Sequence, residues 1–167
     1  MEIFSTKNKN NERNVNFIAG CTIGSIMQGL PINATLKDDC LFIKCRINKK
    51  MNATLKYEKI TACEFVPEED IQEKSKSIAG RAMIGGLVLG PVGAIVGGMT
   101  GIGTKKRTNL RKFIIINYKG NDDEINAISL EIVDASLKWR NFLSELAEKA
   151  NVKTAFPFEK KDLSVEL

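Results

Sequence analysis

The stretch Asn33-Ala-Thr-Leu-Lys-Asp-Asp-Cys-Leu-Phe-Ile-Lys-Cys-Arg46 decides how this chain is read. Two runs of β-favouring residues flank Asp38-Asp39, a pair suited to a tight turn, so the segment predicts a hairpin. Working outward, Asn48-Lys49-Lys50 supplies a second turn and Ala53-Thr-Leu-Lys-Tyr57 a further strand. Lys59 opens the next, Ile60-Thr-Ala-Cys-Glu-Phe-Val66, and strand and turn signals recur from Phe17 to Val66. Residues 1–16 read as a flexible polar tail, and the charged stretch 67–77, with Pro67 and Glu68-Glu69-Asp70, as a linker. Farther on, Phe113-Ile-Ile-Ile-Asn-Tyr118 is a buried strand. After a turn at Lys119-Gly-Asn-Asp122, Ala127-Ile-Ser-Leu-Glu-Ile132 pairs back by alternation. Asp134 suits the N-cap of a helix to Ala150, along which Ala135, Trp139, Phe142, Leu143, Leu146 and Ala150 form one apolar stripe. Residues 151–167 are a second tail.

These elements add up to an α+β, mainly β, domain over 17–150. Its strands, about 17–66 and 112–132, form one antiparallel barrel or roll capped by the helix 134–150, with an insertion at 78–104. An antiparallel sheet has to bury its apolar face, and a single helix laid across it is a compact way to do so.

Composition narrows the chemistry. The chain of 167 residues contains no histidine, which removes imidazole metal ligands and the Ser-His-Asp and Cys-His nucleophile systems. Its 4 cysteines, at positions 21, 40, 45 and 63, lack zinc-ligand spacing, and Cys40 and Cys45 alternate to opposite faces of one strand. They read as small buried hydrophobes in a reducing compartment. Runs of three carboxylates occur only at Glu68-Glu69-Asp70 and Asp122-Asp123-Glu124, which read as solvated turns. No catalytic residue, cofactor or metal site is expected. Ile18-Ala-Gly-Cys21 imitates a lipoprotein cleavage box, yet the polar run Lys7–Asn14 stands where a signal peptide needs apolar residues. The expected compartment is therefore the cytoplasm.

The formal charge of +5 is unevenly spread, because no Asp or Glu occurs between Glu73 and Asp122. Within that window Lys74, Lys76 and Arg81 precede, and Lys105, Lys106 and Arg107 follow, an uncharged segment from Ala82 to Thr104. Such a basic zone favours an anionic surface. Most of the 13 glycines fall inside the segment. On a helix, Gly86, Gly90, Gly93, Gly97 and Gly101 share an arc of about 80°, a smooth stripe for close backbone packing. Gly90-Pro91 divides the segment into two expected short helices, 82–89 and 91–102, a hairpin that keeps both basic flanks on one side. Three roles stay open: membrane contact, self-association in solution, and packing within the domain. The segment lacks the Gly-Lys-Ser/Thr ending of a phosphate loop.

A resemblance completes the reading. Gly29-Leu-Pro31 with Leu36-Lys-Asp-Asp-Cys-Leu-Phe-Ile43 and Leu55-Lys-Tyr-Glu-Lys-Ile60 is similar to bacterial pleckstrin-homology-like (GRAM-like) domains. So is Phe113-Ile-Ile-Ile-Asn-Tyr118 leading to a tryptophan-bearing helix. Some such proteins resemble the chain further, with a glycine zipper like Gly80–Gly98 in the same place. The resemblance implies a non-enzymatic membrane-associating or scaffold module, in settings such as envelope stress, phage conflict or toxin biology. Its expected partners are a second copy through the zipper and an anionic membrane surface. The alternative is a soluble homo-oligomer. Lys37, Lys44, Arg46 and Tyr57 match a loose phosphoinositide-headgroup pattern, which Asp38 and Asp39 oppose. Nucleic acid is disfavoured, since Phe42 and Tyr57 are the only strand aromatics placed to stack on bases.

Overall fold

The structure is a computed structural model that describes residues 12–20, 26, 29–75, 83–84, 87–88, 111–133 and 138–154. Seven strands form one antiparallel sheet: β1 (Glu12–Gly20), β2 (Pro31–Leu36), β3 (Cys40–Cys45), β4 (Asn52–Lys56), β5 (Ile60–Pro67), then β8 (Lys112–Lys119) and β9 (Ile125–Ile132). The elements between β5 and β8 are helix α1 (Glu68–Ser75) and the two-residue strands β6 (Met83–Ile84) and β7 (Leu87–Val88). Helix α2 (Lys138–Ala150) closes the domain.

The strand order β4-β3-β2-β1-β9-β8-β5 shows how the halves join. β1 pairs with β2 through Glu12–Asn16 and with β9 through Val15–Gly20, and its register slips between Phe17 and Ala19. A bulge there bends the strand, so one strand can serve two sheet halves that roll toward each other. β5 and β8, on either side of the insertion, pair directly from Ile60↔Tyr118 to Pro67↔Lys112. The strands before and after the glycine segment thus belong to one sheet, as expected.

Alternation fills the core. Ile32, Ala34 and Leu36 of β2 meet Leu41 and Ile43 of β3, Ala53 and Leu55 of β4, and Ile114, Ile116, Ile128 and Leu130 from the far half. Helix α2 covers this cavity with Trp139, Phe142, Leu143 and Leu146 of the predicted stripe and with Ala147, which the stripe did not include, while Ala150 is only partly buried; the helix lies against β5 and the 3-10 turn Tyr57–Lys59. Asn151 ends the helix in the left-handed region (φ 54°). Asn151 N–H donates to the Glu148 carbonyl and Val152 N–H to the Ala147 carbonyl, at 3.1 and 3.0 Å. That pair is the Schellman arrangement, and Val152 packs on the core beside it.

Four expectations need correction. β1 starts at Glu12, so residues 12–16 of the expected tail pair with β2. Backbone pairing does not require apolar alternation, which this asparagine-rich stretch lacks. The expected linker 67–77 gives Pro67 to β5 and Glu68–Ser75 to α1, where Glu68, Glu69 and Asp70 occupy the first turn, favoured by the helix dipole, and Ile71 is fully buried. The expected helix 82–89 is, at its described residues, a hairpin in which Met83 pairs with Val88 and Ile84 with Leu87. The two residues between them in sequence, Gly85-Gly86, are of the type preferred between paired strands, a local signal that competes with the helical spacing. β9 starts at Ile125, two residues early, because the β8–β9 turn closes with Gly120 N–H donating to the Glu124 carbonyl. The Asp134 cap, Ala135, the helix 91–102 and the tail from 155 lie outside the described residues.

Candidate functional site

The four headgroup candidates do not converge. Tyr57 is buried, and its hydroxyl donates to the Lys37 carbonyl at 2.7 Å. Burial pushes that phenol well above its ordinary range, so it offers a ligand nothing. The Lys37 ammonium sits 3.9 Å from the centre of the Phe42 ring. Lys44 is half-buried on β3 between Asn33 and Asn52, while β3 ends at Cys45 and leaves Arg46 in the following loop. Lys37 and Arg46 flank opposite ends of β3, about 20 Å apart along a strand of that length.

Arg46 belongs instead to a built loop. Residues 46–50 between β3 and β4 are all exposed, and Ile47 is 74% exposed, the most open of the large hydrophobic side chains among the described residues. Arg46 precedes it and Lys49-Lys50 follows, and no acidic residue occurs from Cys40 to Tyr57. The loop's shape is held by its own backbone. Arg46 N–H donates to the Pro31 carbonyl (2.9 Å) and Met51 N–H to the Asn48 carbonyl (3.0 Å). Lys50 N–H donates to Asn48 Oδ1 (3.1 Å), an Asx-turn, and Asn48 N–H reaches Cys45 Sγ at 3.5 Å. An apolar tip among cations is thus presented with its conformation already fixed. Sequence reading passed over it because Asn48-Lys49-Lys50 carries an ordinary turn signature. The available signal was Ile47, an isoleucine inside a turn.

A second cluster marks the root of the insertion. Glu68 N–H donates to the Arg111 carbonyl at 2.9 Å, and Arg111 N–H donates to Glu68 Oε2 at 3.0 Å. The Arg111 side chain reaches Glu131 Oε1 at 2.5 Å and lies over the Phe113 ring. The hydrogen bond to Glu131 raises the guanidinium pKa further, against burial. This cluster closes the neck where the chain leaves and re-enters the sheet.

A cleft of about 470 Å³ opens between β4 and the β8–β9 turn, lined among others by Thr54, Lys59, Tyr118, Lys119 and Asn126. Its lining contains no carboxylate, and Lys59 Nζ donates to Asn121 Oδ1 across it at 3.4 Å. No cluster of three metal-ligating side chains occurs among the described residues. Cys40, Cys45 and Cys63 are buried free thiols, and burial pushes Cys63 up to about 12. No helix among the described residues is long and apolar enough to cross a membrane.

The packing glycines Gly86, Gly90, Gly93, Gly97 and Gly101, with Pro91, lie outside the described residues. So do Lys76, Arg81, Lys105, Lys106 and Arg107, while the backbone of Lys74 falls in α1.

A bent first strand shared by two sheet halves, with one helix across the barrel, defines a pleckstrin-homology (PH) type domain. The chain belongs to the family of glycine-zipper-containing PH domains, whose model matches residues 29–139. Domains of the PH type are generally non-catalytic and serve protein interaction or membrane association. No curated protein and no solved structure matches the chain significantly.

Proposed function

We propose that this protein is a non-enzymatic module that docks reversibly on an anionic membrane surface, on the inner face of the cell membrane. The β3–β4 loop makes first contact, and the glycine segment then packs helix to helix, with a second copy or as a re-entrant hairpin. The observation that carries this reading is Ile47, held exposed between Arg46 and Lys49-Lys50 on a pre-shaped loop. Burying one isoleucine contributes about 1.5–3 kcal/mol, and each cation near an anionic leaflet about 1 kcal/mol. The sum suits peripheral, salt-sensitive attachment rather than permanent anchoring.

Liposome flotation tests it. The protein should float with vesicles containing phosphatidylserine or phosphatidylglycerol and stay below with phosphatidylcholine alone. The Ile47→Ser, Lys49→Ser, Lys50→Ser triple variant should lose most of that binding. Full binding by the triple variant would remove the loop from the reading. A wild-type chain that never floats, and sediments as an oligomer, would replace the membrane role with the soluble self-association expected as the alternative.

A further inference from the structure

In β2 and β4 buried and open residues alternate, as a sheet with one solvated face requires. β8 breaks the pattern: Phe113, Ile114, Ile115 and Ile116 are all 0% exposed. Ile114 and Ile116 point into the barrel core, so Phe113 and Ile115 are buried on the opposite, outer face. Among their neighbours there Val66, opposite Phe113 on β5, and Ala127 and Ser129 on β9 are also buried, while the half-buried Glu64 and Glu131 and the buried Asn117 edge the same face, and Ile71 of the adjoining α1 is buried too. None of these belongs to the barrel core cluster. Three strands therefore carry a second apolar layer outside the barrel. β7 lies against β5, β8 and β9, the three strands that carry it.

We infer that the outer face of β5, β8 and β9 is a docking surface whose occupant is the chain's own β6–β7 hairpin, and that this hairpin lifts off while the barrel stays folded. Three observations make the cover separable. β6 and β7 have two residues each, too little pairing to hold a ribbon by itself. Ser129 Oγ is buried on the docking face with no hydrogen-bond partner among the described residues, so the closed state withholds water from a hydroxyl that opening would hydrate. The Glu68–Arg111–Glu131 cluster ties the neck of the insertion to β9, so the segment beyond it can move without unzipping β5 from β8. Opening would bare Phe113, Ile115, Val66 and Ala127, an apolar patch with a polar edge. The inference does not depend on lipid binding.

The test uses the full-length chain with Ser129→Cys, a near-isosteric change, and a second variant, Ala127→Cys. Each is exposed to a maleimide in buffer, and labelling is resolved by site with mass spectrometry. Native Cys63, buried in the barrel core, reports global unfolding in the same molecule. The thiols introduced by the two substitutions should label at least 100-fold faster than Cys63. Their rates should be flat across low urea concentrations, where the Cys63 rate climbs. Labelling of the introduced thiols and Cys63 at one rate with one urea dependence, including no labelling of any, would overturn the inference, because the cover would then open only by unfolding the domain.

Discussion

Arg111 joins three elements through its side chain and its backbone. It binds Glu131, receives and returns backbone hydrogen bonds with Glu68, and covers Phe113. Because its pair with Glu131 is only 18–19% exposed, its removal strands a carboxylate in a partly dry site. Arg111→Leu should cost about 2–3 kcal/mol in urea denaturation, and high salt should do little to narrow the gap from wild type. Ser129→Ala should act the other way, gaining about 1 kcal/mol by deleting a buried hydroxyl that has no partner among the described residues. A loss of stability in that variant would mean that the hydroxyl is satisfied after all. Neither residue was legible in the sequence. Arg111 sat among many cations and Ser129 in an ordinary alternating strand, and only the fold brings Arg111 to Glu68 and Glu131 across long chain separations.

At the level of elements, the end of α2 gives the sharpest expectation. Asn151 holds a positive φ that asparagine tolerates and β-branched residues resist. Asn151→Val should destabilise by about 1–2 kcal/mol, and Asn151→Gly should stay within about 0.5 kcal/mol of wild type. Calorimetric melting of the pair checks both. Within the glycine segment, replacing Gly93 and Gly97 together by Leu should abolish self-association, measured by sedimentation, while vesicle binding persists. Unchanged assembly would show that glycine packing is not what the segment is for. The elements that could be read from sequence were those with strong periodicity: the hairpin through Asp38-Asp39, the continuous apolar run of β8, the stripe of α2. Those misread were decided by weaker local chemistry. α1 has a single buried apolar residue, Ile71, among its described side chains, and so carries no stripe to see. The β6–β7 turn competed with a glycine spacing that also fits a helix. The same balance holds for the candidate site, where charge was visible but the exposure of Ile47 was not.

For the whole molecule, pH is a probe of the core. Burial raises the pKa of Cys63 from its ordinary 9.0 to about 12, and that of Tyr57 above its ordinary 10.0. Both groups are neutral when protonated, and their folded values exceed their unfolded ones. Their contribution is therefore complete below about pH 9 and is lost as pH rises through the folded values. Urea midpoints should be level from pH 7 to 9 and fall steeply beyond. Cys63→Ala should flatten the first part of that fall at some cost in stability at neutral pH. A midpoint that stays level to pH 11 in wild type would show the thiol and phenol to be hydrated.

The pairing of β5 with β8 has a temporal consequence. These strands are neighbours in the sheet, yet residues 68–111 separate them along the chain. Closing so long a loop costs about 2 kcal/mol more in chain entropy than closing a short hairpin. The β2–β3–β4 meander and the β8–β9 hairpin, all locally connected, are thus free to assemble first, with β5 arriving late to complete the barrel. The cost grows only logarithmically, by about 0.6 kcal/mol for each doubling of the loop. A domain built this way can accept a longer or shorter insert at its neck with little change in speed or equilibrium. The stretch of chain between β7 and β8 is then a cassette, free to be remodelled for new partners while the barrel that carries it stays the same.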